Sequence, residues 1–255
     1  MNNIKLSIIV PCYNEEKNIA IFLKDFGSLL IDNQNIELLL VDNGSTDSTG
    51  KAIDSEITKN NYKFAKKVVV KNNIGYGAGI LAGLKEAKGE LLAWTHADLQ
   101  TNPEDVIRAY NLYLEKSKEE RKIFIKGHRK NRKLSEKIFS FCMQILASMS
   151  LGTFLSEINA QPKLFPRSFY NLMAYPPLDF SLDLYALYLA KKNGYELISL
   201  PVFFKERLHG ESKGGSGSDF KTRWKLIKRS LNYILNLRSK LLKEKDSLNN
   251  VVHKT

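Results

Sequence analysis

Four short apolar runs, Leu6–Val10, Glu37–Val41, Lys67–Val70 and Glu90–Trp94, alternate with stretches of helical periodicity, and each run stops at a cluster of polar residues. Segments such as SIIV and LLLV show no polar alternation, so both faces of each strand call for cover, which is the pattern of parallel strands flanked by helices. The chain is therefore expected to be α/β: an open, mostly parallel, twisted sheet with helices on both faces. A fifth run, Ile123–Lys126, and a later strand over 195–204 extend the sheet, and a helix over 181–193, stopped by Gly194, precedes that last strand. The segment NAQPKLFPR reads as irregular. The 255 residues suit one large domain over 1–220, a basic amphipathic helix over 221–245, and a frayed tail over 246–255.

In open α/β sheets, ligands gather at the carboxyl ends of the strands. The polar clusters fall there: PCYNEE, DNGSTDSTG, NNIGYGAG and THADLQ. Each loop alone has an ordinary explanation as a cap or turn, but four on one edge make a single crevice. In THADLQ the residues His96, Asp98 and Gln100 alternate, and an extended backbone would turn all three to one side, able to meet one ion and its phosphates. The glycines at 75, 77, 79 and 83 suggest a dinucleotide fingerprint. Their G-x-G-x-G spacing and their place after the third strand argue against a dehydrogenase.

Taken in order, PCYNEE, VDNGSTDSTG, NNIGYGAGILAGLKEAKGE, HADLQ and YELISLPVFFKERLHGESKGG resemble the family 2 glycosyltransferases, especially the dolichol-phosphate mannosyltransferase and polyprenyl-phosphate glycosyltransferase branch. The resemblance implies the GT-A fold and inverting transfer of a hexose from a nucleotide-sugar of the GDP-mannose or UDP-glucose type. It implies that Pro11, Tyr13 and Glu15 line the nucleotide site, with Glu15 near the ribose and Asp42 at the base, while Asp47 orders its own loop. An acceptor-only carboxylate suits ribose hydroxyls and a base N–H. Gly75 and Gly79 would lie close to the donor, where small residues allow backbone approach.

The family's metal motif reads Asp-Ala-Asp-Leu-Gln, and His96 stands here in place of the first Asp. Asp98, Gln100 and His96 are the candidate ligands for Mg2+ or Mn2+, and an imidazole favours the softer manganese. Asp183 matches an acidic helix position of the family and would be the general base for a sugar hydroxyl acceptor, whereas a lipid phosphate needs none. Arg129, Arg167, Arg207, Ser212 and Lys213 are candidate contacts for phosphate groups, and Arg132 and Lys133 read as solvated charges.

The 39 basic against 27 acidic residues, a formal charge of +12, favour anionic partners. The basic stretch from Lys221 to Lys245 carries Trp224, Ile227, Leu231 and Ile234 at helical spacing, which fits a helix resting on an anionic membrane or docked on the domain. The uncharged segment from Ile138 to Leu155 holds too many polar residues for a membrane span. Cys12 and Cys142 read as reduced, buried thiols. Polyprenyl phosphate is the expected acceptor, with a glycan hydroxyl as the alternative, and the expected location is cytoplasmic, peripheral on the membrane's cytoplasmic face. The alternative of another class is a non-catalytic nucleotide or nucleic-acid binding protein, but nucleic acid is not expected, for want of an aromatic platform or a helix-turn-helix.

Overall fold

A computed structural model of the chain describes residues 3–119, 121–131 and 151–205, together with residues 144, 145, 148, 228, 232–236, 238 and 239. The chain forms two compact units, Met1–Arg132 with Asn159–Gly210, and Lys133–Ile158 with Glu211–Thr255. In the second, Ser148 is helical and its hydroxyl accepts from the Leu155 N–H at 2.9 Å. The boundaries expected at 220 and 245 lie outside the described residues, as do Cys142 and most of the basic C-terminal stretch. No described helix is long and apolar enough to cross a membrane.

The first unit is built on a seven-stranded sheet of order β3-β2-β1-β4-β6-β5-β7. Its strands are β1 (Leu6–Cys12), β2 (Ile36–Asn43), β3 (Ala65–Val70), β4 (Leu91–Trp94), β5 (Ile123–Arg129), β6 (Lys163–Pro166) and β7 (Glu196–Val202). Only β6 runs against its neighbours, antiparallel to both β4 and β5. The helices are α1 (Glu16–Leu30), α2 (Thr49–Lys59), α3 (Tyr76–Glu86), α4 (Glu104–Lys116), the short α5 (Arg167–Tyr170) and α6 (Leu182–Lys192).

Strand pleating divides the apolar runs between two layers. Leu6, Ile8 and Val10 pack with Ile19, Phe22 and Phe26 of α1 and with Val106 and Ala109 of α4. On the opposite face, Ile9 and Val41 lie against α3, where a Cβ at Gly83 would come within 3.0 Å of Val41. Full burial of each such aliphatic or aromatic side chain contributes about 1.5–3 kcal/mol, so a strand apolar on both faces is stable only between two helical layers. The expected parallel sheet with helices on both faces is what forms.

β6 departs from the expectation. Pro162 and Pro166 bracket a four-residue strand, and proline reads as a strand breaker. Here the prolines stand at its margins, leaving Lys163, Leu164 and Phe165 to pair with Trp94, Ala93 and Leu92. Phe165 packs edge-on to Trp94 and stacks on Phe124, each at 5.2 Å between ring centroids. That aromatic packing holds the strand in the sheet despite its length.

Candidate active site

Strands β1 and β2 end side by side, with Cys12 in register with Asp42, and their two loops are laced together. Asn14, in the left-handed region at φ 56°, donates its backbone N–H to Ser45 Oγ at 3.2 Å, and its Oδ1 accepts from the Thr46 N–H at 2.8 Å. The Glu15 N–H donates to Thr49 Oγ1 at 2.8 Å. Asp47 accepts from the Thr49 N–H at 2.9 Å and the Glu16 N–H at 3.3 Å, bridging the starts of α2 and α1. Desolvation pushes the Asp47 carboxyl up, but these bonds outweigh it and hold the group below its ordinary value. That geometry agrees with a loop-ordering role for Asp47.

Asp42 Oδ1 accepts from the Ser45 N–H at 3.1 Å. Tyr13, Glu15 and Asp42 are half-buried along this double loop, with Pro11 beneath it at the end of β1. Burial, followed by the nearby charges of Glu15 and Asp42, raises the Cys12 thiol well above its ordinary value, so it stays protonated.

The loop after β4 carries the buried Asp98, 4 % exposed. Its Oδ1 accepts from the Gln100 N–H at 3.2 Å, and its Oδ2 lies 3.8 Å from His96 Nδ1. His96 Nε2 is buried and has no hydrogen-bond partner among the described residues. His96 and Asp98 meet, but the chain bends from Ala97 onwards and turns at Leu99 into the left-handed region at φ 59°. Gln100 is thereby directed to the exit of β7. Its Nε2 donates to the Lys205 carbonyl at 3.3 Å, and its own carbonyl accepts from the Lys205 N–H at 2.9 Å.

No group of three His, Cys, Asp or Glu side chains able to hold a metal occurs among the described residues. The residues present nonetheless fit a metal of the kind that takes one or two protein ligands and completes its shell with substrate phosphates. A buried carboxylate beside an orphaned imidazole nitrogen is such a pair.

Asp183, in the first turn of α6, is 2 % exposed. Its Oδ1 accepts from Trp94 Nε1 and Gln161 Nε2, each at 3.0 Å, and Lys163 Nζ is 3.5 Å away. Its Oδ2 accepts from Gln161 at 3.3 Å. Lys163 is itself fully buried and donates to the Ala160 carbonyl at 2.6 Å. The Gln161 amide also reaches the Tyr76 hydroxyl at 3.2 Å. The Tyr76 ring stacks on Phe180 at 4.9 Å and lies 5.7 Å from the His96 ring. Burial, then the carboxylates of Asp183 and Asp98, push the Tyr76 phenol well above its ordinary value.

The glycine-rich segment packs closely on neighbouring backbone. Gly75, at φ 139°, and Gly77 lie against the backbone of Pro177–Asp179, where a Cβ at Gly77 would come 2.5 Å from the Pro177 carbonyl. Gly79 lies against Pro11 and Asn43, and Asn43 Nδ2 donates to the Gly75 carbonyl at 2.9 Å. The small residues seat the chain on itself.

The two anion candidates among the described residues lie at opposite edges of the sheet. Arg129 is at the carboxyl edge, its guanidinium 5.6 Å from the Phe204 ring. Arg167 is not at that edge. Because β6 is antiparallel, its end meets the beginning of β4, and Arg167 donates to the Gly89 carbonyl at 2.8 Å and the Ala87 carbonyl at 2.9 Å, closing the end of α3. Arg207, Ser212 and Lys213 lie outside the described residues. Sequence reasoning missed Tyr76, Gln161 and Lys163. The available signal was a lysine and a glutamine inside the otherwise apolar AQPKLF.

Comparison with known proteins accords with this geometry. The sequence profile of glycosyl transferase family 2 matches residues 7–145, just over half of the chain. A dodecaprenyl-phosphate galacturonate synthase of Rhizobium johnstonii is 29% identical over 173 residues, 66% of this chain and 49% of that protein. An undecaprenyl-phosphate 4-deoxy-4-formamido-L-arabinose transferase of Aeromonas hydrophila is 29% identical over 221 residues, 84% of this chain and 65% of that protein. The chain thus spans about half to two thirds of the length of these relatives. Among solved structures, glucosyl-3-phosphoglycerate synthase of Mycobacterium tuberculosis, in complex with Mn2+, UDP and glucosyl-3-phosphoglycerate, superposes with a TM-score of 0.67 at 16% identity, over 92% of this chain and 79% of that one. That likeness is one of fold, the GT-A arrangement. On the profile match, the chain belongs to glycosyl transferase family 2.

Proposed function

We propose that the protein transfers a sugar from a nucleotide-sugar to polyprenyl phosphate at a membrane surface, with inversion at the sugar carbon. The observation that carries this reading is the state of Asp183. A hydroxyl acceptor needs a base to take its proton, but the one acidic residue matched to that role has both oxygens engaged by Trp94, Gln161 and Lys163. A phosphate acceptor is already an anion and needs only to be held. The names of the Rhizobium and Aeromonas relatives point to the same acceptor class.

In this reading Asp98 and His96 hold the metal, Glu15 and Asp42 take the nucleoside, and Arg129 is the described candidate for the acceptor phosphate; Arg207, Ser212 and Lys213, candidates for the same task from the sequence, lie outside the described residues. A divalent metal there supplies positive charge to the diphosphate oxygens as the sugar leaves them. The imidazole of His96 favours Mn2+ over Mg2+. The donor proposed is of the UDP-glucose or GDP-mannose class, and the Mycobacterium structure of the same fold holds UDP.

The test is transfer by the full chain, with Mn2+ or Mg2+, from UDP-glucose, UDP-galacturonic acid or GDP-mannose to undecaprenyl phosphate. A lipid-phosphate sugar should form, and Asp98→Ala should lower its rate by about a hundredfold or more. Donor turnover that yields only glycan-linked sugar would redirect the reading to a hydroxyl acceptor, and the absence of any donor turnover would end it.

A further inference from the structure

The hydrogen bonds around Asp183 have a direction. A carboxylate accepts only, so the Gln161 side chain must present its amide nitrogen, not its oxygen, to the Asp183 oxygens at 3.0 and 3.3 Å. Trp94 Nε1 and Lys163 Nζ, donors both, hold that carboxylate from other sides. Gly127 lets the backbone of Gln161 come close, since a Cβ there would collide with the Gln161 carbonyl, and the Gly127 N–H donates to the Pro162 carbonyl at 2.8 Å. With one amide proton on Asp183, the second goes to the Tyr76 hydroxyl at 3.2 Å, so the phenol oxygen is an acceptor in that bond. The phenol's own proton is thereby turned away from Gln161 and meets no acceptor in the described residues' hydrogen bonds.

Tyr76 stands between the loop after β4 and the segment leading into α6. It opens α3, its ring is flanked by His96 of the loop after β4 and by Phe180 of the segment leading into α6, and it is half-buried. Resting on the transferase reading above, we propose that Tyr76 contacts the sugar being transferred, donating its phenolic proton to a sugar oxygen, and that Gln161 is the positioning residue that fixes the direction of that bond. A sugar oxygen is favoured over a diphosphate oxygen because Gln161, which holds the phenol, is itself bonded to the buried Asp183 carboxylate, so the phenol stands on the side of a fixed negative charge that suits a neutral hydroxyl better than an anion. The stacked rings of Tyr76 and Phe180 add an apolar surface of the kind a sugar's C–H face packs on.

The experiment compares wild type with Tyr76→Phe, which keeps the ring and removes the proton. Calorimetric dissociation constants are measured for UDP and GDP and for UDP-glucose, UDP-galacturonic acid and GDP-mannose, each with Mn2+, alongside thermal melting of both proteins. For the nucleotide-sugar that wild type binds, Tyr76→Phe should weaken affinity by about five- to tenfold, the weight of one neutral hydrogen bond. Affinity for the matching nucleoside diphosphate should stay unchanged, while the melting temperature falls by a few degrees because the buried Gln161 amide loses an acceptor. Gln161→Leu should reproduce the selective loss in part. Equal weakening of nucleotide-sugar and nucleoside diphosphate would place the bond on the diphosphate and overturn the proposal, as would no change in either. Wild-type protein that binds none of these nucleotides overturns the transferase reading itself, and this proposal with it.

Discussion

Gly50 sits in the first turn of α2, and the Asp42 carboxylate occupies the space its Cβ would fill. Alanine is the better helix former by about 1 kcal/mol, so Gly50→Ala should leave stability unchanged or slightly raised while displacing Asp42. If Asp42 holds the nucleoside, nucleotide affinity measured by calorimetry should fall by about tenfold, the loss of one charge-assisted bond. Intact affinity would remove Asp42 from the site. Stability and binding are expected to move in different directions because the helix gains what the neighbouring side chain loses. His96 is a related case: a departure from the family motif that is plain in the sequence, whose meaning depends on its buried, unpartnered Nε2, a matter of packing that no spacing reveals.

At the scale of elements, the direction of β6 decides what its flanking residues can do. It brings Gln161 and Lys163 to the carboxyl edge of the sheet and sends Arg167 to the other edge. Arg167→Ala should therefore cost about 2 kcal/mol of stability in chemical denaturation, since its charged bonds to the carbonyls of Ala87 and Gly89 are lost, and leave nucleotide affinity untouched. Reduced nucleotide affinity in a fully stable variant would return Arg167 to the site. The parallel strands were legible because runs such as LLLV are apolar on both faces, and the loops after them were legible because polar residues follow at once. β6 was not, because three residues between two prolines carry no periodicity, and its antiparallel sense is set by pairing with β4 and β5. Tyr76 was hidden for another reason. Its glycine neighbours drew the reading towards backbone freedom, while its partner Gln161 lies 85 positions away.

For the molecule as a whole, the formal charge of +12 and the basic stretch from Lys221 to Lys245 predict association with anionic lipid. Vesicles containing phosphatidylglycerol should co-sediment with the protein at low salt and release it as ionic strength approaches about 1 M, where the screening length falls to about 3 Å. Equal binding to neutral phosphatidylcholine, or indifference to salt, would remove electrostatics as the anchor. The seat of Gly75 and Gly77 on the backbone of Pro177–Asp179 has a consequence for anyone who would exchange parts among such proteins. The two surfaces are cast to each other without intervening side chains, so a segment around 175–183 taken from a relative will fit only if residues 74–79 travel with it. The two segments are therefore one two-piece unit, split by about a hundred residues of chain but transplantable only together.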